Sequence, residues 1–124
     1  MTVDTRARTH DGTRAGALWA GVLAGPLASL VALELGYVLV ERACATGETA
    51  PVHLSFLGCL LVTLAAGVLA GREWRRWGAR HASEDDGREG RSRFLALLGV
   101  VTAPLFALVI ATQWSATLFL HPCQ

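Results

Sequence analysis

Three long apolar blocks limit what this chain can fold into. Leu18 to Val40, Val52 to Ala70 and Phe94 to Leu120 run for about 23, 19 and 27 residues, and about 20 residues of α-helix cross a hydrocarbon core. Each block is long enough to span a bilayer. Lipid offers a backbone no hydrogen-bond partners, so a span must satisfy its own groups, and the Leu, Ala and Val runs lack the alternation of a membrane β-barrel. The expected fold is all-α, an integral membrane protein of three transmembrane helices. Residues 1–14 read as a polar cytoplasmic tail with no apolar face, residues 15–124 as the transmembrane domain, and residues 71–93 as a cytoplasmic loop. A composition in which 52% of 124 residues are hydrophobic belongs to the same class.

Charge speaks through its position. All the basic side chains are Arg and the net charge is only +1, which gives no case for a nucleic-acid surface. Arg6, Arg8 and Arg14 precede the first span, and Arg72, Arg75, Arg76, Arg80, Arg88, Arg91 and Arg93 lie between the second and third. Only Arg42 falls in the first connection, and none follows the third span. The positive-inside rule puts the amino terminus and the Arg-rich loop in the cytoplasm and the first connection and the carboxyl terminus outside. The first run is longer than the apolar region of a signal peptide, and Glu41 and Arg42 stand where a cleavage site needs small uncharged residues. It is expected to remain as a helix.

Local signals fill in this frame. Trp19 and Tyr37 lie near the two ends of span one, as interfacial aromatics do, and Gly47 and Pro51 suit a tight turn between antiparallel helices. Small residues at helical spacing permit close approach in lipid: Gly21, Gly25, Ser29, Ala32 and Gly36 on span one, and Ser55, Cys59, Thr63, Gly67 and Gly71 on span two. These two faces are expected to pack on each other. After span two, Arg72, Trp74, Arg75, Arg76 and Trp77 alternate cation and indole, the pattern of a helix end anchored among lipid headgroups. Ser92 is a candidate cap for the third helix, and a tilt or a kink at Pro104 would absorb that helix's excess length. On span three Thr102, Gln113, Thr117 and His121 share a side, with Gln113 most in need of a buried partner.

The chemistry-bearing residues collect at one end. Cys44 closes span one and Cys123 follows span three, so the topology brings both to the outer, oxidising side, where a disulfide is expected. Two alternatives stay open there. The thiols can be unpaired packing residues, or Cys44, His53, His121 and Cys123 can hold a soft metal such as copper(I) or zinc, although no CxxC or HxxxH spacing supports a metal. Paired histidines can also ligate haem, but no CxxCH occurs; no phosphate loop, nucleophile elbow or HExxH occurs either. The residues nominate neither an enzyme nor a cofactor.

Glu34 is the anomaly, a carboxylate inside an apolar run. At about 3.6 residues per turn it lies opposite Gly25, Ala32 and Gly36 and beside Leu23, Leu27, Leu30, Tyr37 and Glu41. Six residues below Val40, it sits about 9 Å inside the end of the span. Three uses remain: reaching toward the interface, contacting Gln113 of span three, or contacting another subunit.

The segments GPLASLVALELGYVLVERACATG, VHLSFLGCLLVTLAAGVLAGREWRR and SRFLALLGVVTAPLFALVIATQW, with the final HPC, resemble a group of small three-span bacterial membrane proteins of unassigned function. Members look similar to proteins encoded near haem-copper oxidase genes. The resemblance implies a link to respiration and brings no catalytic residue with it. The leading expectation is a non-catalytic accessory subunit or assembly factor of an inner-membrane respiratory complex, with a terminal oxidase as partner. The alternatives are a small transporter or proton-conducting homo-oligomer built on Glu34, and a copper- or haem-handling protein of the periplasmic face.

Overall fold

The computed structural model describes residues 2–79, 87–120 and 123, with the side chains of residues 2–5, 7, 11, 14, 77–79 and 87–89 left aside. Among the described residues the regular structure is three α-helices: α1 over Thr2–Thr46, α2 over Ala50–Ala79 and α3 over Gly87–Phe119. All three are long and apolar enough to cross a membrane. Each packs against the other two, so the fold is a three-helix bundle rather than a hairpin with an appended helix.

Local chemistry sets the α1–α2 turn. Gly47 adopts φ 78, a left-handed conformation open to glycine at no steric cost, and its N–H donates to the Ala43 carbonyl at 2.7 Å. Helix α1 ends there. Two residues on, the Thr49 carbonyl accepts from the N–H groups of Val52 and His53, and Pro51 sits in the first turn, where an N–H would have no intrahelical partner anyway.

The helices run beyond the spans read from hydropathy. The start, expected as a loose tail, is continuous with α1, and the exposed Thr9 and Thr13 hydroxyls bond back to backbone carbonyls at 2.9–3.0 Å. No proline interrupts this stretch, so nothing stops α1 from continuing outward, although Thr9, Gly12 and Thr13 are weak helix formers. The expected loop 71–93 is shortened at both ends for the same reason: α2 reaches Ala79, and α3 begins at Gly87. Ser92 consequently lies inside α3 and does not cap it. Both Pro26 and Pro104 lie inside helices, and the Ser29 hydroxyl donates to the Pro26 carbonyl at 2.8 Å. Buried neighbours make such internal prolines tolerable in membrane helices.

The core is built from small side chains. Ala28, Ala32, Ala43, Val52, Phe56 and Ile110 form its larger cluster, with Leu39, Val40, Cys59, Leu60 and Trp114 packed against it, while Ala70, Ala96, Ala103 and Ala107 are buried elsewhere. Large aliphatics point away from the bundle, Leu27, Leu30, Leu54, Leu61, Leu105 and Leu108 among them. This inverted distribution suits lipid, where burying leucine gains little and close backbone approach gains dispersion.

The small-residue stripes meet more partners than expected. Gly21 approaches Ala70 and Gly36 approaches Phe56, both on α2, but Gly25 faces Phe106 of α3. On α2, Gly67 faces Ala103 and Gly71 faces Val100, again on α3. The two faces meet in part, and geometry turns the rest toward α3. Residues four apart advance about 400° on an α-helix, so a stripe drifts about 40° per step and about 160° from Ser55 to Gly71. One end of the α2 stripe looks at α1 and the other at α3.

Candidate functional site

At the end of the bundle where α1 finishes and α2 begins, three features come together. Cys44 and Cys123 lie at disulfide distance, their Cα atoms 5.5 Å apart across 79 residues of sequence. His53, in the first turns of α2, accepts at Nδ1 a 2.9 Å hydrogen bond from the Trp114 indole Nε1–H of α3, with the rings tilted by 49° and their centroids 6.3 Å apart. An indole N–H in an apolar setting needs such a partner, and accepting it at Nδ1 leaves the proton of a neutral imidazole on Nε2. The third feature is Gln113, whose carbonyl oxygen Oε1 is buried with no hydrogen-bond partner.

The metal candidates do not converge among the described residues. Cys44 and Cys123 are paired with each other, and His53 Nδ1 is occupied by Trp114. No group of three His, Cys, Asp or Glu side chains stands at metal-holding distance among the described residues, and His121 lies outside them. Cys59 is a half-buried free thiol one turn from Thr63, a fully buried residue whose hydroxyl donates to the Cys59 carbonyl at 2.9 Å. Two hydroxyls on the polar side of α3 are satisfied locally. Thr102 donates to the Gly99 carbonyl and Thr117 to the Trp114 carbonyl, each within its own helix.

Glu34 sits on the far side of α1 from the core. Ala32 and Gly36, flanking it in sequence, are buried, whereas Leu27 is 56% exposed, Leu30 58% and Tyr37 74%. Among the described residues no hydrogen bond or ion pair reaches Glu34, from Gln113 or from any other side chain. The possible pairing of those two residues is therefore not made. Ser29, Ala32 and Thr63 are buried members of the small-residue faces, and Ser55, whose hydroxyl donates to the Val52 carbonyl, is half-buried.

Beside Glu34 on the same flank, a shallow groove of about 400 Å³ runs between α1 and α2. Its walls include Ala24, Ala28 and Val31 from α1 and Ser55, Gly58 and Cys59 from α2, and its lining is almost wholly apolar. At the opposite end of the bundle Arg72, Arg75 and Arg76 are exposed, Trp74 is 40% exposed, and Arg76 stands 3.6 Å from Glu73 as an ion pair. Trp77 continues α2, with its side chain outside the description.

Sequence reading missed two functional-looking contacts. The Trp114 indole N–H, near the end of α3, needs an acceptor in an apolar setting, and His53 in the first turn of the facing α2 provides it. Gly99 also went unnoticed, yet a Cβ there would come within 3.0 Å of Ala70.

These features define a class: a three-helix bundle whose helices are long and apolar enough to cross a membrane, with a small-residue core, one bridged end and an outward carboxylate. No protein family, curated protein or solved structure matches the chain.

Proposed function

We propose that this protein is a non-catalytic accessory subunit or assembly factor of a larger complex in a bacterial inner membrane. Its amino terminus and Arg-rich segments lie in the cytoplasm, and its Cys44–Cys123 end faces outward. The observation that carries the reading is where the side chains go. Small residues fill the interior and leave no polar lumen among the described residues, while the membrane carboxylate and the large apolar side chains face away from it. A pump or channel formed within one chain would instead line an interior path with its ionisable groups. A surface made to meet lipid and other membrane proteins fits the distribution better. The likeness to proteins encoded near haem-copper oxidase genes points to a terminal oxidase as the complex.

The test is purification of the tagged full-length protein from native membranes in mild detergent, followed by identification of what accompanies it. Recovery of a respiratory complex in fixed proportion supports the reading. Recovery of the chain alone, together with proton flux through vesicles that contain only this protein, overturns it in favour of a conducting oligomer.

A further inference from the structure

We infer that the Arg-rich ends of α2 and α3 form a binding site for a phospholipid that carries two phosphates, built by Arg72 and Arg75 of α2 with Arg93 of α3. Helix geometry brings the three together. Gly71 faces Val100 across the α2–α3 contact, while Ala70 and Gly99 turn inward to Gly21 of α1. At about 100° per residue, Arg72 and Arg75 lie about 100° and 40° round α2 from Gly71, on the side away from Ala70. Arg93 lies two turns before Val100 on the same side of α3, about 120° from Gly99. The three arginines therefore share the flank of the α2–α3 pair that α1 leaves open. All three are exposed, and among the described side chains no carboxylate pairs with them, since Glu73 is taken by Arg76.

Depth and charge select the occupant. Arg72 and Arg75 follow the end of the second apolar run at Ala70, and Arg93 immediately precedes the third at Phe94, so all three sit at the membrane level of headgroup phosphates. Just inside them on the same flank, Val68 of α2 and Leu97 of α3 are 56% and 44% exposed, an apolar floor for acyl chains. Cations over such a floor match an amphiphile with an anionic head. Guanidinium forks pair with phosphate oxygens through charge-assisted hydrogen bonds, and basic recesses between membrane helices hold headgroups in this way. Three unpaired guanidiniums exceed the charge of one phosphodiester, and two phosphates on one short linker engage them at a higher effective concentration than two separate lipids. Arg93 comes from beyond the loop, so the site is more than the Arg and Trp run that ends α2. It stands apart from which complex the protein joins.

The test uses the full chain with its Cys44–Cys123 pair retained, in nonionic detergent micelles, and counts retained lipid by native mass spectrometry. Diphosphatidylglycerol should be held at one equivalent, and more tightly than phosphatidylglycerol supplied at the same phosphate concentration. Arg72→Gln, Arg75→Gln and Arg93→Gln combined should weaken retention about a hundredfold, and Arg93→Gln alone about fivefold. The charge-matched combination of Arg6→Gln, Arg8→Gln and Arg91→Gln, all exposed and off this flank, should leave retention nearly unchanged. Helical circular dichroism and the intact Cys44–Cys123 bridge report that each variant is folded. Equal loss in the charge-matched combination, equal retention of the two lipids, displacement of the lipid by inorganic pyrophosphate, or indifference to Arg93→Gln would each overturn the site. None of these results bears on co-purification with a larger complex, so the accessory role is judged separately.

Discussion

Gly67→Ala is the sharpest perturbation of the bundle. A Cβ at Gly67 would lie 2.6 Å from the Ala103 Cβ, on a rigid methyl group that has no rotamer by which to retreat. Carbon atoms rest at about 3.5–4.0 Å, so α2 and α3 must separate locally by about 1 Å. A gap of that size forfeits a quarter to a half of the dispersion energy of the contacts it opens, and overpacking of this kind costs about 1–3 kcal/mol. Alanine returns about 0.5–1 kcal/mol through its better helix propensity, which leaves a net loss centred on about 1 kcal/mol and reaching about 2.5 kcal/mol. The assay is unfolding by sodium dodecyl sulfate titration in mixed micelles, followed by helical circular dichroism. The double variant Gly67→Ala with Ala103→Gly exchanges the methyl between helices, balances propensity, and should return to within about 0.5 kcal/mol of the parent. Gly90→Ala is the control, because nothing among the described residues lies within 4 Å of its Cβ position. If Gly67→Ala unfolds no earlier than Gly90→Ala, or the double variant is weaker than the single one, α2 and α3 do not approach here.

Other expectations follow from the bridged end of the bundle and from its charge asymmetry. Peptide mass spectrometry of protein isolated without reductant should find Cys44 joined to Cys123 and Cys59 free; reduction should lower stability by about 4 kcal/mol for so long a closed loop, and an unchanged transition would show that the bridge constrains little. Trp114→Phe removes the donor to His53 and should cost about 1 kcal/mol in the same micellar titration, whereas Trp74, whose indole has no hydrogen-bond partner among the described residues, should tolerate the same change. In a background free of native cysteines, an impermeant thiol reagent applied to intact spheroplasts should reach a cysteine restored at position 123 and miss one introduced by Arg76→Cys. The reverse labelling would invert the topology.

Different physical signals decided how much of this architecture was legible. Hydropathy located the three spans, because about 20 apolar residues in one run admit few other fates. Topology then brought Cys44 and Cys123 to one end, which made their pairing readable from chain order. The helix ends were not readable from hydropathy, since residues 2–17 and 71–79 are polar and their helicity owes nothing to an apolar face. Facing partners failed in part for a geometric cause, the drift of a four-residue repeat that turns Gly67 and Gly71 toward α3. Glu34 was placed opposite the buried face by periodicity alone, and it is exposed there. The His53–Trp114 bond spans 61 residues and needed coordinates to be seen.

The accessory role is tested most directly by native gel electrophoresis of membranes solubilised in digitonin, with the chain detected through an amino-terminal tag. The account predicts that most of the chain migrates in a band far heavier than its own dimer, that this band contains respiratory subunits, and that it persists at rising detergent until those subunits themselves dissociate. Migration of the whole population as monomer or dimer, under conditions that keep the respiratory complexes intact, would contradict it.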